Sequence, residues 1–391
     1  MRFSSLVDRI SGHGVAAWDI HYAACEAQER GEDVILLSVG DPDFATPDFI
    51  TDAAITALRA GDTHYTHIAG RAELRQAIAA RYTQTLGRSV SAQNVITMAG
   101  AQNALFAASL CLLQAGDEVI SLDPMYVTYE ATLRACGATL VRVACDPDAG
   151  FRPDIPRLAA AVTPQTRAIF LSNPNNPTGV TLDLAELQAI AELAIAHDLW
   201  VVVDEVYESL CYGREHISLA SLPGMADRCV VVSSLSKSHA MTGWRMGWIV
   251  ATPELIRHVE NLSLSMVYGL PGFVMEAALV AVAAHAQVTV GMREIYRRRR
   301  DLVVAELQDC PAIQVLTPDA GMFVLLDIRA TGLSSLDFAW RLLREAGVSV
   351  LDAAAFGKPS QGFVRLSFTV SDEQLTQACL RIRAFVLTLE R

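Results

Sequence analysis

Although the 391-residue sequence carries eight cysteines, none forms a C-x-x-C pair. Scattered at positions 25, 111, 136, 145, 211, 229, 310 and 379, they suggest neither a disulfide framework nor a thiolate metal site, and they read as reduced thiols. Long apolar runs are also missing. The longest, "ALFAASLCLL" and "AALVAVAA", fall well below the ~20 residues that cross a bilayer. The opening "MRFSSLVDRISGHG" has no apolar segment of signal-peptide length. Positive charge is scarce: 31 Lys and Arg against 43 Asp and Glu leave a net charge of −12. That balance argues against nucleic acid or an anionic membrane as a partner. The exception, Arg297 to Arg300, lies in the helical pattern "MREIYRRRRDLVVAELQ" and reads as a solvated or interface face. The P-loop signature and G-x-G-x-x-G are absent, so ATP and dinucleotides are poorly supported; "SGHG" at 11–14 lacks a third glycine and a preceding strand. H-E-x-x-H is absent and His64 and His67 lack a third ligand, so no metal is expected. A soluble, cytoplasmic protein is the expectation.

Just over half of the chain (52%) is apolar, enough for a substantial core, and its length suits two lobes. Short β-rich runs alternate with helical patterns: "NVITMAG" then "AQNALFAASLCLLQAGD", "DEVISLD", "TRAIFLSNP", "LWVVVDEVY" and "RCVVVSSLSK". Strands apolar throughout, separated by amphipathic helices, predict an α/β fold with a mostly parallel sheet covered on both faces. Ligands of such sheets sit at the carboxyl ends of the strands. Four polar clusters fall there: "GAQ", "NPNNPTG", "DEVY" and "SLSK". Beyond about residue 287 a long helical stretch leads into "GMFVLLDIR", "GVSVL" and "GFVRLSF", which read as a smaller α+β lobe. The expected division is an N-terminal arm over 1–45 completing the small lobe, a large domain over 46–287 and a small domain over 288–391.

Gly100, Ala101 and Gln102 close a strand and open a helix. Their free N–H groups and the helix dipole favour an anion, although for the segment alone a glycine easing a tight strand-to-helix turn is the better explanation. Asp204 ends a buried strand, where a carboxylate needs a partner; it either caps the next helix or holds a proton on a ring nitrogen. Tyr207, about one turn on, reaches the same ligand. Asn173, Asn175 and Asn176 suit a tight loop. Arg365 stands mid-strand among apolar neighbours and requires an anion, either an internal acid or a substrate carboxylate gripped in two places. Lys237 lies among Ser234, Ser236 and Arg245. A partly desolvated ammonium near another cation loses its proton more easily, as a Schiff-base lysine must, and the hydroxyls with Arg245 suit a phosphate dianion. One ligand meets an amine, an anion cradle, an acid and a phenol together: pyridoxal 5′-phosphate.

These strings, with "LSVGDPDF" (37–44), "YTHIAGRAELR", "DPMYVTYE" and "VRLSF" (364–368) in the same order, resemble the class I/II aminotransferases of fold type I over nearly the whole chain. The resemblance implies a seven-stranded, mostly parallel sheet in the large domain. It further implies that Lys237 forms the Schiff base and moves the proton, that Asp204 pairs with the ring nitrogen, and that Tyr207 and Asn176 contact the ring's 3′-oxygen. Tyr126 would stack on the ring. The Gly100–Gln102 backbone, Ser234, Ser236 and Arg245 would hold the phosphate, with Tyr65 reaching across a homodimer to the partner's site. Arg365, Asn176 and the Gly40 backbone would hold the substrate carboxylate. The implied activity passes the amino group of an L-amino acid to a 2-oxo acid by a ping-pong mechanism.

Strings outside the catalytic motifs, among them "AAWDIHY" (16–22), "HDLW" and "SLPGMADR", resemble more narrowly the arginine–pyruvate aminotransferase subgroup. An arginine donor would want an acid, for which Asp19 is placed by the arm, with Tyr268 as a second pocket residue. Aspartate-type, aromatic-type or broad-range transamination and a C–S β-lyase remain alternatives, although Gln102 stands where some aspartate-using relatives carry lysine. A penicillin-binding acyl enzyme matches S-x-x-K at Ser234 and Lys237 but would need K-T-G, which is absent. A non-catalytic sensor would need a DNA-binding module, and no basic helix-turn-helix segment precedes residue 40.

Overall fold

The valine-rich runs form the strands the sequence predicts, and both of their faces are buried. In the computed structural model, which describes residues 1–11 and 18–389, seven strands make the large sheet. They are β1 (Val95–Met98), β2 (Glu118–Asp123), β3 (Thr139–Ala144), β4 (Thr166–Ser172), β5 (Trp200–Asp204), β6 (Cys229–Ser234) and β7 (Gly247–Val250). Their spatial order is β1-β7-β6-β5-β4-β2-β3. Successive side chains alternate between two cores because a strand's side-chain period is two. Ile169, Leu171, Val201, Val203 and Val231 enter one core. Ala168, Phe170, Val202, Val230 and Val232 enter the other. A one-residue slip would exchange these sets, so register is strongly specified.

Only β7 runs antiparallel to its neighbours among these strands. Its first residue, Gly247, pairs with Met98 on one side and Ser234 on the other, at the carboxyl ends of β1 and β6. The reversal brings Arg245 to the ligand edge of a sheet that would otherwise receive only chain leaving a strand. The loop of residues 235–246 is closed by Leu235 N–H donating to the Met246 carbonyl at 3.1 Å.

A second, antiparallel sheet orders Leu351–Asp352, Phe363–Ser367, Phe323–Asp327 and Gln314–Leu316. N-terminal Ile35–Leu36 pairs in parallel with Val348–Ser349, so the two ends of the chain meet. Helix His285–Leu307 carries the arginine run and packs on the C-terminal helix Asp372–Leu389. The run is not uniformly solvated. Arg299 is buried, donates to both oxygens of Asp43 at 2.8 Å and pairs with Asp372, while Arg297 pairs along its own helix with Glu294 and Asp301. None of the eight cysteines is joined in a disulfide. Among the described residues no single helix is long and apolar enough to cross a membrane. Gly12–Ala17, which include most of "SGHG" and the start of the 16–22 string, lie outside the described residues.

Candidate active site

All four polar strand ends and the small sheet enclose one cavity of about 280 Å³. Lys237, Asp204, Tyr207, Asn176, Tyr126 and Arg365 line it, together with Gly40, Ala101, Gln102, Ser234, Ser236 and Arg245. Sheet register accounts for part of this: Ser172 and Asp204 are direct neighbours at the ends of β4 and β5.

Lys237 follows the end of β6 by three residues and donates from Nζ to the Gly40 carbonyl at 2.7 Å. Burial, reinforced by Arg365 and Arg245 and opposed by Asp41, pulls its pKa down to about 8. Near neutral pH a sizeable fraction is therefore free amine, which is the nucleophilic form.

Asp204 is buried with no cationic partner among the described residues. Tyr129 Oη donates to its Oδ2 at 2.8 Å and Val206 N–H to its Oδ1 at 3.2 Å. Burial outweighs these bonds and lifts its pKa to about 6. One oxygen of Asp204 thus serves the following turn, and the carboxylate also faces the cavity.

Arg365 is 3% exposed and has no acid partner among the described residues. Nη1 donates to Asn176 Oδ1 at 2.9 Å and Nη2 to the Ser38 carbonyl at 3.2 Å, while Nε has no partner. Phe323 and Phe356 flank the guanidinium, their ring centroids 5.2 and 4.9 Å away. Asn176 in turn reaches Tyr207 Oη at 3.5 Å. Its neighbours serve the loop instead: Asn173 Oδ1 accepts from Leu182 N–H and Asn175 Oδ1 from Thr178 Oγ1. Among the described residues the internal ion pair considered for Arg365 is not formed.

The opposite chemistry gathers at Gly100, the residue before helix Ala101–Leu112. Its φ is +82°, and a Cβ there would lie 2.5 Å from Arg245 Nη2, so glycine satisfies both backbone and contact. Arg245 has no ion pair among the described residues and spends its donors on the Thr242 and Ala99 carbonyls. Ser236 N–H donates to Ser234 Oγ. First-turn N–H groups of the helix lack intrahelical acceptors, so this corner offers an anion a dipole, hydroxyls and a guanidinium. The Gln102 amide is engaged elsewhere, donating to Thr132 Oγ1 at 2.9 Å and accepting from Thr128 Oγ1 at 2.7 Å.

Asp19 lies outside this chain's cavity, as do Tyr65 and Tyr268, which were expected to act across a dimer. Asp19 is exposed at the first turn of helix Asp19–Glu29, where an acid faces solvent and the dipole; its neighbour Trp18 lines the cavity instead. Tyr65 and Tyr268 lie outside the cavity of this chain, 87% and 47% exposed, with their rings 4.8 Å apart. Sequence reading missed Trp18, Thr128, Tyr129, Ser172 and Thr242 in the lining. Tyr129 was the most accessible of these, since it stands one turn after Tyr126 in the quoted "DPMYVTYE". Behind Asp204, ligand atoms of Glu205, Glu208 and His216 approach within 4.8 Å of one another. Arg81 pairs with Glu208 and His216 faces Glu205 at 3.5 Å, so charges there alternate in sign.

The family model for aminotransferase class I and II matches residues 32–382. Arginine–pyruvate transaminase AruH of Pseudomonas aeruginosa is 53% identical over 382 residues, covering 98% of this chain and 97% of that protein. An aspartate/prephenate aminotransferase of Thermus thermophilus is 37% identical, with 93% of each chain covered. The solved aspartate aminotransferase of T. thermophilus with maleate superposes with a TM-score of 0.93 at 35% identity, over 98% of this chain and all of that one. Motif order, sheet topology and similarity agree along nearly the whole chain, which therefore belongs to the class I and II aminotransferases of fold type I and moves an amino group from an amino acid to a 2-oxo acid.

Proposed function

We propose that this aminotransferase uses pyridoxal 5′-phosphate, takes its amino group from L-arginine and delivers it to pyruvate by a ping-pong sequence. The cavity's own chemistry suits that cofactor. Among the described residues Arg245 has no anionic partner and Asp204 is a buried acid with no cation, while Lys237 offers a partly deprotonated amine. A phosphate, a basic ring nitrogen and an aldehyde answer these in turn. The Gly100, Ala101 and Gln102 backbone, Ser234, Ser236 and Arg245 would hold the phosphate. Tyr126 would cover the ring face, and Tyr207 and Asn176 would meet the 3′-oxygen.

When bound, the cofactor would supply an electron-accepting ring that spreads negative charge from the substrate α-carbon. Asp204 keeps a proton on the ring nitrogen. Arg365 grips the α-carboxylate, with Asn176 and the Gly40 backbone beside it, and so fixes which Cα bond faces the ring. Lys237 Nζ is the amine for the aldehyde carbon and the base that takes the Cα proton and returns it. The observation carrying this reading is Arg365: a buried guanidinium with an idle Nε, no acid partner among the described residues, and a place in the same cavity as Lys237. Such a group is costly to bury unless an anion arrives.

Similarity to the arginine–pyruvate transaminase supports the donor. The engaged Gln102 amide offers no cation for a second substrate carboxylate. Asp204 is the one carboxylate among the described lining residues, so a second copy would supply groups for the donor's guanidinium. Exposed, adjacent Tyr65 and Tyr268 support a homodimer in which Tyr65 reaches the neighbouring phosphate. We read the chain as an arm (1–45), a large domain (46–287) and a small domain (288–391), working in the cytoplasm. A single-turnover screen of the twenty amino acids, followed by cofactor absorbance, should put arginine among the fastest. Arginine among the slowest would overturn the donor assignment, and pyruvate with ammonia from cysteine would point to β-elimination.

A further inference from the structure

Asp204 is held by Tyr129, a residue to which the sequence reading gave no role. Tyr129 is 1% exposed, and its hydroxyl donates to Asp204 Oδ2 across 75 residues of sequence. Its ring is packed edge-on against Phe170 at 4.8 Å and against Tyr126 at 5.9 Å. The phenol therefore has a fixed direction, and its donor meets the one acid that faces the cavity. The other carboxylate oxygen accepts from Val206 N–H. Near Asp204 the ionisable groups are Tyr126 and Tyr129 from the 123–130 segment, Glu205 beside it on the chain, and Tyr207 from the following turn. None is a cation, so hydrogen bonds are what these neighbours offer to stabilise a charge on Asp204.

We infer that Tyr129 is a positioning residue that keeps Asp204 ionised and correctly oriented, so that the proton shared with the cofactor's ring nitrogen resides on the nitrogen. This rests on the cofactor reading given above. A carboxylate in an apolar site that loses its donor becomes more basic. The proton then moves from the ring to Asp204, a charged pair becomes a neutral one, and the ring draws electrons less strongly. A hydrogen bond to a charged acceptor is roughly twice as strong as a neutral one, so its loss is felt as about a tenfold change in cofactor affinity.

The test uses the full-length holoenzyme loaded with pyridoxal phosphate labelled with 15N at the ring. Tyr129→Phe removes the hydroxyl and keeps the ring packing. The 15N resonance should move toward the neutral-pyridine position, with cofactor dissociation about tenfold weaker at equilibrium. Tyr129→3-fluorotyrosine, a stronger donor of almost the same shape, should move the resonance the opposite way, and it decides the matter if the Phe variant does not fold. A resonance and an affinity unchanged within twofold in a folded variant would overturn the role of Tyr129 while leaving the cofactor assignment standing. Wild-type protein that takes up no cofactor would sink that assignment, and this inference with it.

Discussion

At Lys237 opposing effects can be ranked. Burial disfavours the ammonium, Asp41 favours it, and Arg365 and Arg245 disfavour it; burial wins, leaving a pKa of about 8. Because the value is lowered, the reactive free amine is the minority form at pH 7 and the majority above about 8. Below that point its concentration changes about tenfold per pH unit. The rate at which cofactor-free protein captures pyridoxal phosphate, followed by stopped-flow absorbance, should therefore climb from pH 6 and level off above about 8. A rate that kept climbing to pH 10 would mean that Lys237 retains an ordinary ammonium. Arg365 reflects the same economy of charge, since its guanidinium is stabilised by carbonyl oxygens and aromatic faces until a carboxylate arrives.

The strand-to-helix turn at Gly100 does at element scale what no single side chain could. It reverses the chain after β1, points the N-terminus of helix Ala101–Leu112 at the cavity, and leaves room for Arg245 arriving from the start of antiparallel β7. Gly100→Ala imposes a left-handed backbone on a residue with a Cβ, costing about 1–2 kcal/mol, and pushes that Cβ into the guanidinium. Fluorescence titration should show cofactor bound about tenfold more weakly, with the melting temperature lowered by a few degrees. Unchanged affinity would remove this turn from the anion site. Much of this geometry was legible beforehand, because apolar runs ending in "GAQ", "DEVY" and "SLSK" mark strand ends and parallel sheets bind ligands there. The contact between Tyr129 and Asp204 was not legible: the two are 75 residues apart, and no periodicity encodes the direction of a hydroxyl. The N-terminal segment reaches this chain's cavity through Trp18 and Gly40, while Asp19, at the start of the following helix, is exposed.

Over the whole molecule, Arg299 joins the N-terminal segment to the C-terminal helix through Asp43 and Asp372, and the Ile35–Leu36 strand joins that segment to Val348–Ser349. Composition could say only that the arginine run was compatible with such a role, because a run of like charges does not reveal which member turns inward. Assembly belongs to this scale too. If Tyr65 serves the neighbouring site, Lys237→Ala and Tyr65→Ala proteins should each be nearly inactive as pure dimers. Mixed and refolded together, they should recover roughly a quarter of wild-type activity, because one site of each hybrid has both residues intact. No recovery in hybrids verified by mass spectrometry would place Tyr65 in its own chain's site, and an active Tyr65→Ala dimer would place it in none.

The sequence contains just two lysines, Lys237 and the exposed Lys358, which makes the decisive measurement unusually clean. Holoenzyme reduced with borohydride and digested for peptide mapping should carry one pyridoxyl group per chain, on Lys237. A label on Lys358 or on the N-terminal amine, or protein without a yellow chromophore to reduce, would contradict the proposed chemistry at its root.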